Sequence, residues 1–178
     1  MRAGCIKFIC VNVIAIWLLA GSGCAIESME QNYVVYKKGD TFCVKGQIDG
    51  EIVRRTDDAV EAIEFAVNSH NKNGGEVLLG KGRFLLSRPI ILKNNIWLHG
   101  GGRGSQLIVE KSNESGIGIM CRDLKGTSIS DLSIQAEKPQ IGQAGIVIEN
   151  SGDCQARNVH VQDFAKYGVW VRKNSFLC

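Results

Sequence analysis

The side chains of this chain that could do chemistry gather toward its end. Asp131, Asp153 and Asp163 offer carboxyl groups, His160, Lys166 and Arg172 offer bases or cations, and Trp170 offers a flat apolar ring. Two carboxyl groups held at a set separation can share the acid and base roles at a glycosidic bond, and an imidazole can move a proton near neutral pH. Asp163, His160 and Asp131 are therefore the candidate catalytic residues, and Trp170, Arg172 and Lys166 the candidate substrate contacts. An Asp or His on the outside of a strand is, however, most often simply solvated. Seven cysteines are scattered without any C-x-x-C spacing, so neither a metal site nor a dithiol redox site is predicted. Cys121 and Cys154 fall in apolar patterns and read as buried free thiols.

The ends of the chain bound where it works. Arg2 and Lys7 make a basic start, and Phe8 to Ala20 is apolar except for Asn12. That run suits the core of a signal peptide and falls short of the roughly 20 residues a membrane-spanning helix needs. Residues 1–23 thus read as a signal peptide. Gly21-Ser22-Gly23-Cys24 resembles a bacterial lipobox, in which a peptidase cuts before the cysteine and its thiol is lipidated, although Gly21 stands where Leu is usual. The expectation is an exported protein of the cell envelope or exterior, held to the membrane by a lipid at Cys24. Cleavage there removes 23 of 178 residues and leaves 155, enough for one domain with a core. It also removes two basic residues and no acidic ones, so the formal charge drops from +3 to +1. A nearly neutral chain lacks the basic stripe that nucleic acid would require.

Residues 24–32 are polar and read as a tether. Tyr33 to Tyr36 and Thr41 to Val44 flank Lys37-Lys38-Gly39-Asp40 and predict a hairpin. One amphipathic helix follows, with Thr56 as N-cap, Asp57 and Asp58 at its positive end, and Ala59, Ala62, Ile63, Ala66 and Val67 on one face. Downstream there are only short apolar runs punctuated by Gly, Asn, Lys and Ser, which excludes a doubly wound sheet.

A repeat chooses among the remaining all-β architectures. Residues 118–134 (GIMCRDLKGTSISDLSI) align with 145–161 (GIVIENSGDCQARNVHV) at an offset of 27, and a third start, GVWV, falls at Gly168, a further 23 along. Ile119 then matches Ile146, Leu132 matches Val159, and Ile134 matches Val161. A strand-turn-strand period in the twenties marks an all-β solenoid whose coils stack. Between these positions Asp131 meets Asn158, Ser133 meets His160, and Gln135 meets Gln162 in an outward polar row. Met120, Val147 and Trp170 form an outward apolar row, either a sugar-stacking stripe or a strip covered by the loop from Glu137 to Ala144.

With the helix and repeat in place, residues 33–178 resemble the N-terminal portion of the pectate-lyase superfamily. The segments that carry the resemblance are YVVYKKGDTFCVKGQIDGEI, TDDAVEAIEFAV, GGEVLLGKGRFLL and RPIILKNNIWLHGGGRGSQLIV. It implies a right-handed parallel β-helix with an N-terminal hairpin and one capping helix. The chain ends at Cys178 inside a third strand set, so it reads as truncated at the C-terminus. The resemblance further implies a lyase, hydrolase or epimerase acting on an acidic polysaccharide, with a divalent cation such as calcium in the lyase case. A non-catalytic surface β-helix, an adhesin or a glycan-binding module, is the alternative. Gly100 to Gly104 is assigned to the turn into the next coil rather than to a phosphate loop, because no helix follows it.

Overall fold

The computed structural model describes residues 32–138 and 142–175. The leader, Cys24, most of the tether and Cys178 lie outside them. Thirteen strands and one α-helix follow in order: β1 (Tyr33–Lys38), β2 (Thr41–Gly46), β3 (Ile52–Thr56), α1 (Ala59–Ser69), β4 (Gly75–Leu79), β5 (Gly82–Leu86), β6 (Ile90–Ile91), β7 (Ile96–Gly100), β8 (Ser105–Val109), β9 (Ile117–Arg122), β10 (Ser128–Ala136), β11 (Ala144–Glu149), β12 (Gln155–Gln162) and β13 (Tyr167–Arg172).

The strands pair in parallel between successive turns of chain, which makes a three-walled solenoid. The first wall stacks β4, β7, the first half of β10 and the first half of β12. The second stacks β5, β8 and the second halves of β10 and β12. The third stacks β6, β9, β11 and β13. The all-β solenoid expected from the repeat is therefore present, and its register is the one read from the sequence. Ile119 pairs with Ile146, Leu132 with Val159, and Ile134 with Val161. Inward residues of neighbouring rungs meet in one continuous core, where Phe84, Leu98, Leu107, Ile119, Ile134 and Ile146 are all inaccessible to solvent.

Strands β10 and β12 bend where the first wall meets the second. Asp131 and Asn158 take positive φ there, a conformation that short polar side chains tolerate. Asn158 Nδ2 donates to Asp131 Oδ1 at 2.6 Å, so the corner residues bond from rung to rung. Asp131 and Asn158 thus stack as expected, but as a corner rather than as part of a flat face. Gly100 to Gly104 makes the equivalent corner between β7 and β8, inside one rung rather than between two. A side chain at Gly100 would lie 2.8 Å from the Asp131 carbonyl oxygen. Buried Ser105 Oγ ties this corner, donating to the Leu79 carbonyl and accepting from Gly101 N.

The N-terminal end is closed. Strands β1, β2 and β3 extend the first wall, with β1 parallel to β4 and the other two antiparallel. Helix α1 lies across β2, β5 and β6 and buries Val60, Ala62, Ile63, Ala66 and Val67. Its N-cap is Asp58 rather than Thr56, because Thr56 still belongs to β3 and the Asp58 carboxylate receives the N–H groups of Val60 and Glu61. Arg88 bridges Asp58 and Glu64 at 2.9 Å each, and Glu64 accepts the Ile91 N–H at the edge of β6. The last rung differs. Val169 and Val171 are 41% and 38% exposed, whereas Ile146 and Ile148, one rung earlier, are buried. Val159 and Val161 are likewise only half-buried, since no described rung covers them.

Candidate functional site

The structure separates the three candidate catalytic residues. Asp131 sits in the corner between the first two walls, where the hydrogen bond from Asn158 leads a set of contacts holding its carboxyl below the usual range. His160 lies on the outer face of the second wall, bonded through Nε2 to Gln162 Oε1 at 2.8 Å. Asp163 occupies the next corner and accepts from Gln135 Nε2 at 2.9 Å. A cavity of about 230 Å³ beside His160 is lined by Gly102, Arg103 and Asn158 and contains no carboxylate. Each of the three is thus bonded to a neighbouring side chain.

Trp170 and Arg172, by contrast, come together on the third wall. The Arg172 guanidinium lies 4.3 Å from the centre of the Trp170 ring, and the Tyr167 ring stacks on Trp170 with centres 4.9 Å apart. Gly118 and Gly145 let the rungs behind this face approach closely. A side chain at Gly118 would come within 2.7 Å of the Gly145 carbonyl oxygen, and one at Gly145 within 2.4 Å of Val161. Ile117 and Ala144 join Met120, Val147 and Trp170 in one apolar cluster on the outer face. Met120 and Val147 are themselves buried, so Trp170 and Tyr167 are the accessible end of the row. Lys166 is exposed in the corner that precedes Tyr167. Of the loop proposed to cover the row, residues 139–141 lie outside the described residues.

Two residues along, the same strands place Arg122, Glu149 and Arg172 in register. Glu149 is 3% exposed and receives Arg172 Nη2 at 2.6 Å, Arg172 Nε at 3.1 Å, Arg122 Nη2 at 3.3 Å, and the Lys173 ammonium. The Lys173 bond is the leading reason that its carboxyl drops to about 2, against a smaller upward push from burial. Three cations face two carboxylates, Glu149 and Asp123, at a cavity of about 420 Å³ that Asn150 also lines, which leaves a surplus of about one positive charge. Arg122 and Lys173 remain 54% and 64% exposed, with donors to spare for an incoming anion. Reading the sequence for carboxylate pairs passes over Glu149, Arg122, Lys173 and Tyr167. The signal was there all the same: Arg122, Glu149 and Arg172 alternate in charge at the 27 and 23 offsets of the repeat.

Glu149 makes a pH test of this cluster. Its folded carboxyl titrates far below its ordinary value of 4.5, so its stabilising contribution is complete above that value and is lost as pH falls toward about 2. Glu149→Gln should lower the melting temperature at pH 7, and the gap between variant and parent should close between pH 5 and 2. Parallel melting curves across that window would show that the cluster adds nothing to the folded state.

Among the described residues, no three His, Cys, Asp or Glu side chains gather closely enough to hold a metal ion. Cys43, Cys121 and Cys154 are buried free thiols, and burial pushes the Cys121 and Cys154 thiols up, away from the reactive thiolate. What the fold and site define is a parallel β-solenoid with a cationic, aromatic patch on one wall. No protein-family model, curated protein or solved structure matches the chain.

Proposed function

We propose that this chain is an exported β-helix domain of the pectate-lyase type that binds acidic polysaccharide along the outer face of its third wall. The observation that carries the proposal is the Trp170–Tyr167 stack running into the Arg172, Lys173 and Arg122 cations around Glu149. An aromatic face takes the apolar side of a sugar ring, and cations beside it take a carboxylate or sulfate. Strands in this wall lie about 4.8 Å apart, so a polymer lying along the solenoid axis would cross several rungs. Binding is favoured over turnover because Asp131, His160 and Asp163 sit elsewhere, each bonded to a neighbouring side chain. The deciding experiment is calorimetric titration with polygalacturonate, alginate and a glycosaminoglycan, run beside a neutral glucan, together with assays for unsaturated uronate and new reducing ends. Salt-sensitive binding of the acidic polymers without turnover is the expected result. Indifference to all of them sinks the proposal, and turnover moves the chain to the enzyme class.

Export rests on the leader, which lies outside the described residues. Within those residues no helix is long and apolar enough to cross a membrane. The short apolar core and Gly21-Ser22-Gly23-Cys24 support a lipid anchor. Mass spectrometry of the envelope fraction should find diacylglycerol on an N-terminal Cys24, and Cys24→Ser should leave the protein unprocessed or released. An intact leader ahead of an unmodified Cys24 rules the anchor out.

A further inference from the structure

The corner between the third and first walls carries cations from one end of the solenoid to the other. The chain passes through it after α1, β6, β9, β11 and β13, and Lys72, Lys93, Lys125, Asp153 and Lys173 fall on those successive turns. Parallel pairing of the flanking strands sets the turns above one another. Lys72 and Lys173 therefore stand four steps of about 4.8 Å apart, about 19 Å in all. Hydrogen bonds pin each turn to the next. Asn95 Nδ2 donates to the Lys72 carbonyl at 3.4 Å, and Thr127 Oγ1 to the Lys93 carbonyl at 2.8 Å. Lys125 N donates to Asn94 Oδ1 at 2.8 Å, and Gly126 N to the Gly152 carbonyl at 3.2 Å. The backbone under Lys72, Lys93 and Lys125 is thus fixed, while all three side chains are exposed.

Three cavities join end to end along this corner. The one beside Glu149 shares Asp123 and Asn150 with a second of about 490 Å³, which reaches Lys125, Asp153 and Asn174. The second shares Leu124 with a third of about 310 Å³, which Lys72 and Lys93 line with His70, Asn71 and Asn94 and no carboxylate. Over the three, Lys72, Lys93 and Lys125 join Arg122, Arg172 and Lys173 against Glu149, Asp123 and Asp153. Six cations face three carboxylates. The C-terminal carbonyls of α1, beside Lys72, offset about half of one charge, so the surplus stays above about two. Charge complementarity therefore selects an anion, and the length of the trench selects an extended one. No Trp, Tyr or Phe lines any of the three cavities, so the bases of a nucleic acid would find nothing to stack on. Asn71, Asn94 and Asn174 instead present amides, which suit hydroxyl groups.

We infer that the acidic polysaccharide of the third-wall proposal, on which this inference rests, leaves the Trp170 ring at Arg172 and runs along this corner to Lys72. The ligand is then a chain of several acidic sugars rather than a single uronate at Glu149. Its anionic groups meet Lys173, Lys125, Lys93 and Lys72 in turn, and affinity grows with chain length until the trench is filled.

The test is isothermal titration of the full chain with galacturonate oligomers of defined length at two salt concentrations. A disaccharide covers only the Trp170–Arg172 end, whereas an octasaccharide exceeds the trench. The octasaccharide should bind at least about tenfold more tightly than the disaccharide. Lys72→Gln with Lys93→Gln and Lys125→Gln should weaken the octasaccharide about tenfold, the effect of three exposed ion pairs, and leave the disaccharide unchanged. It should also flatten the salt dependence. Lys38→Gln with Lys81→Gln and Lys111→Gln removes the same charge from exposed positions elsewhere and should change neither ligand. The inference is overturned if the two oligomers bind the parent equally, if the corner variant matches the parent, or if both triple variants lose affinity alike. A single-stranded oligonucleotide of equal charge that binds as tightly overturns the choice of saccharide. Octasaccharide binding that needs the three corner lysines but survives Trp170→Ala unchanged supports the corner and counts against the third-wall reading. Failure of every acidic oligomer to bind the parent sinks both.

Discussion

Leu132→Asp should cost this chain a large share of its stability at 25 °C, while Val159→Asp, one rung later at the paired position, should be tolerated. Both residues point inward and pair in register on the second half of their strands. Leu132 is 1% exposed, packed between the rung before it and the rung after it. A carboxylate there has no partner and no water, and a cost of about 4 kcal/mol or more is expected. Against a total stability of about 5–15 kcal/mol, that is a large share. Val159 is half-buried because nothing described stacks on its far side, so a carboxylate can hydrate there and the cost should be about 1–2 kcal/mol. Urea titrations followed by circular dichroism measure both, with Leu132→Met, expected to cost less than about 1.5 kcal/mol, as the control for shape. Equal losses at the two positions would mean that the last rung is covered as well as the one before it.

Reversing the charges at Arg172 and Lys173 together should weaken acidic polysaccharide binding by about a hundredfold or more. Hydrogen bonds to a charged group contribute about 1.5–3 kcal/mol each, and each 1.4 kcal/mol is a factor of ten. Arg172→Glu with Lys173→Glu removes two of the three cations around Glu149 and adds two anions, leaving Arg122 alone against four carboxylates, Asp123 included. Since that change also strips Glu149 of partners, Trp170→Ala supplies a second reading that leaves the charges in place. It should lose the stacking contribution, about tenfold, and keep the salt dependence of the parent. Isothermal titration at two ionic strengths separates the cases, because a charge-driven contact weakens with salt and a stacking contact does not. Unchanged affinity in both variants would move the binding face off the third wall.

The solenoid was legible in residues 118–171 because stacking leaves an imprint there. Inward positions such as Ile119 and Ile146 sit on one another about 4.8 Å apart, so each rung must repeat the apolar pattern of its neighbour. Earlier rungs obey the same rule without showing a period. On the first wall, Glu76 pairs with Trp97 after 21 residues and Trp97 with Ser128 after 31, against 27 for the next step from Ser128 to Gln155. Corner loops face solvent and vary in length freely, which hides the repeat while the core keeps its register. The helix over residues 59–69 was legible for the usual reason, an apolar face at helical spacing, but its cap was not. Thr56 and Asp58 are both good caps by type, and only the reach of β3 through Thr56 decided for Asp58.

The candidate sites divide in the same way. Trp170 and Arg172 share an outer face by strand alternation, which a sequence contains by itself. Whether Arg172 meets a carboxylate depends on which residue the next strand brings alongside, and that is a property of the register between rungs. Glu149, Arg122 and Lys173 became one cluster only through that register, as did Glu76, Trp97, His99 and Ser130, which lie up to 54 residues apart in the chain. The sequence by itself determined a stacked all-β solenoid with one helix, because burial forces its pattern onto every rung it can. The tertiary structure decided which polar side chains meet where variable loops hide the period, because outward positions carry no such constraint and acquire their neighbours from the pairing of the strands.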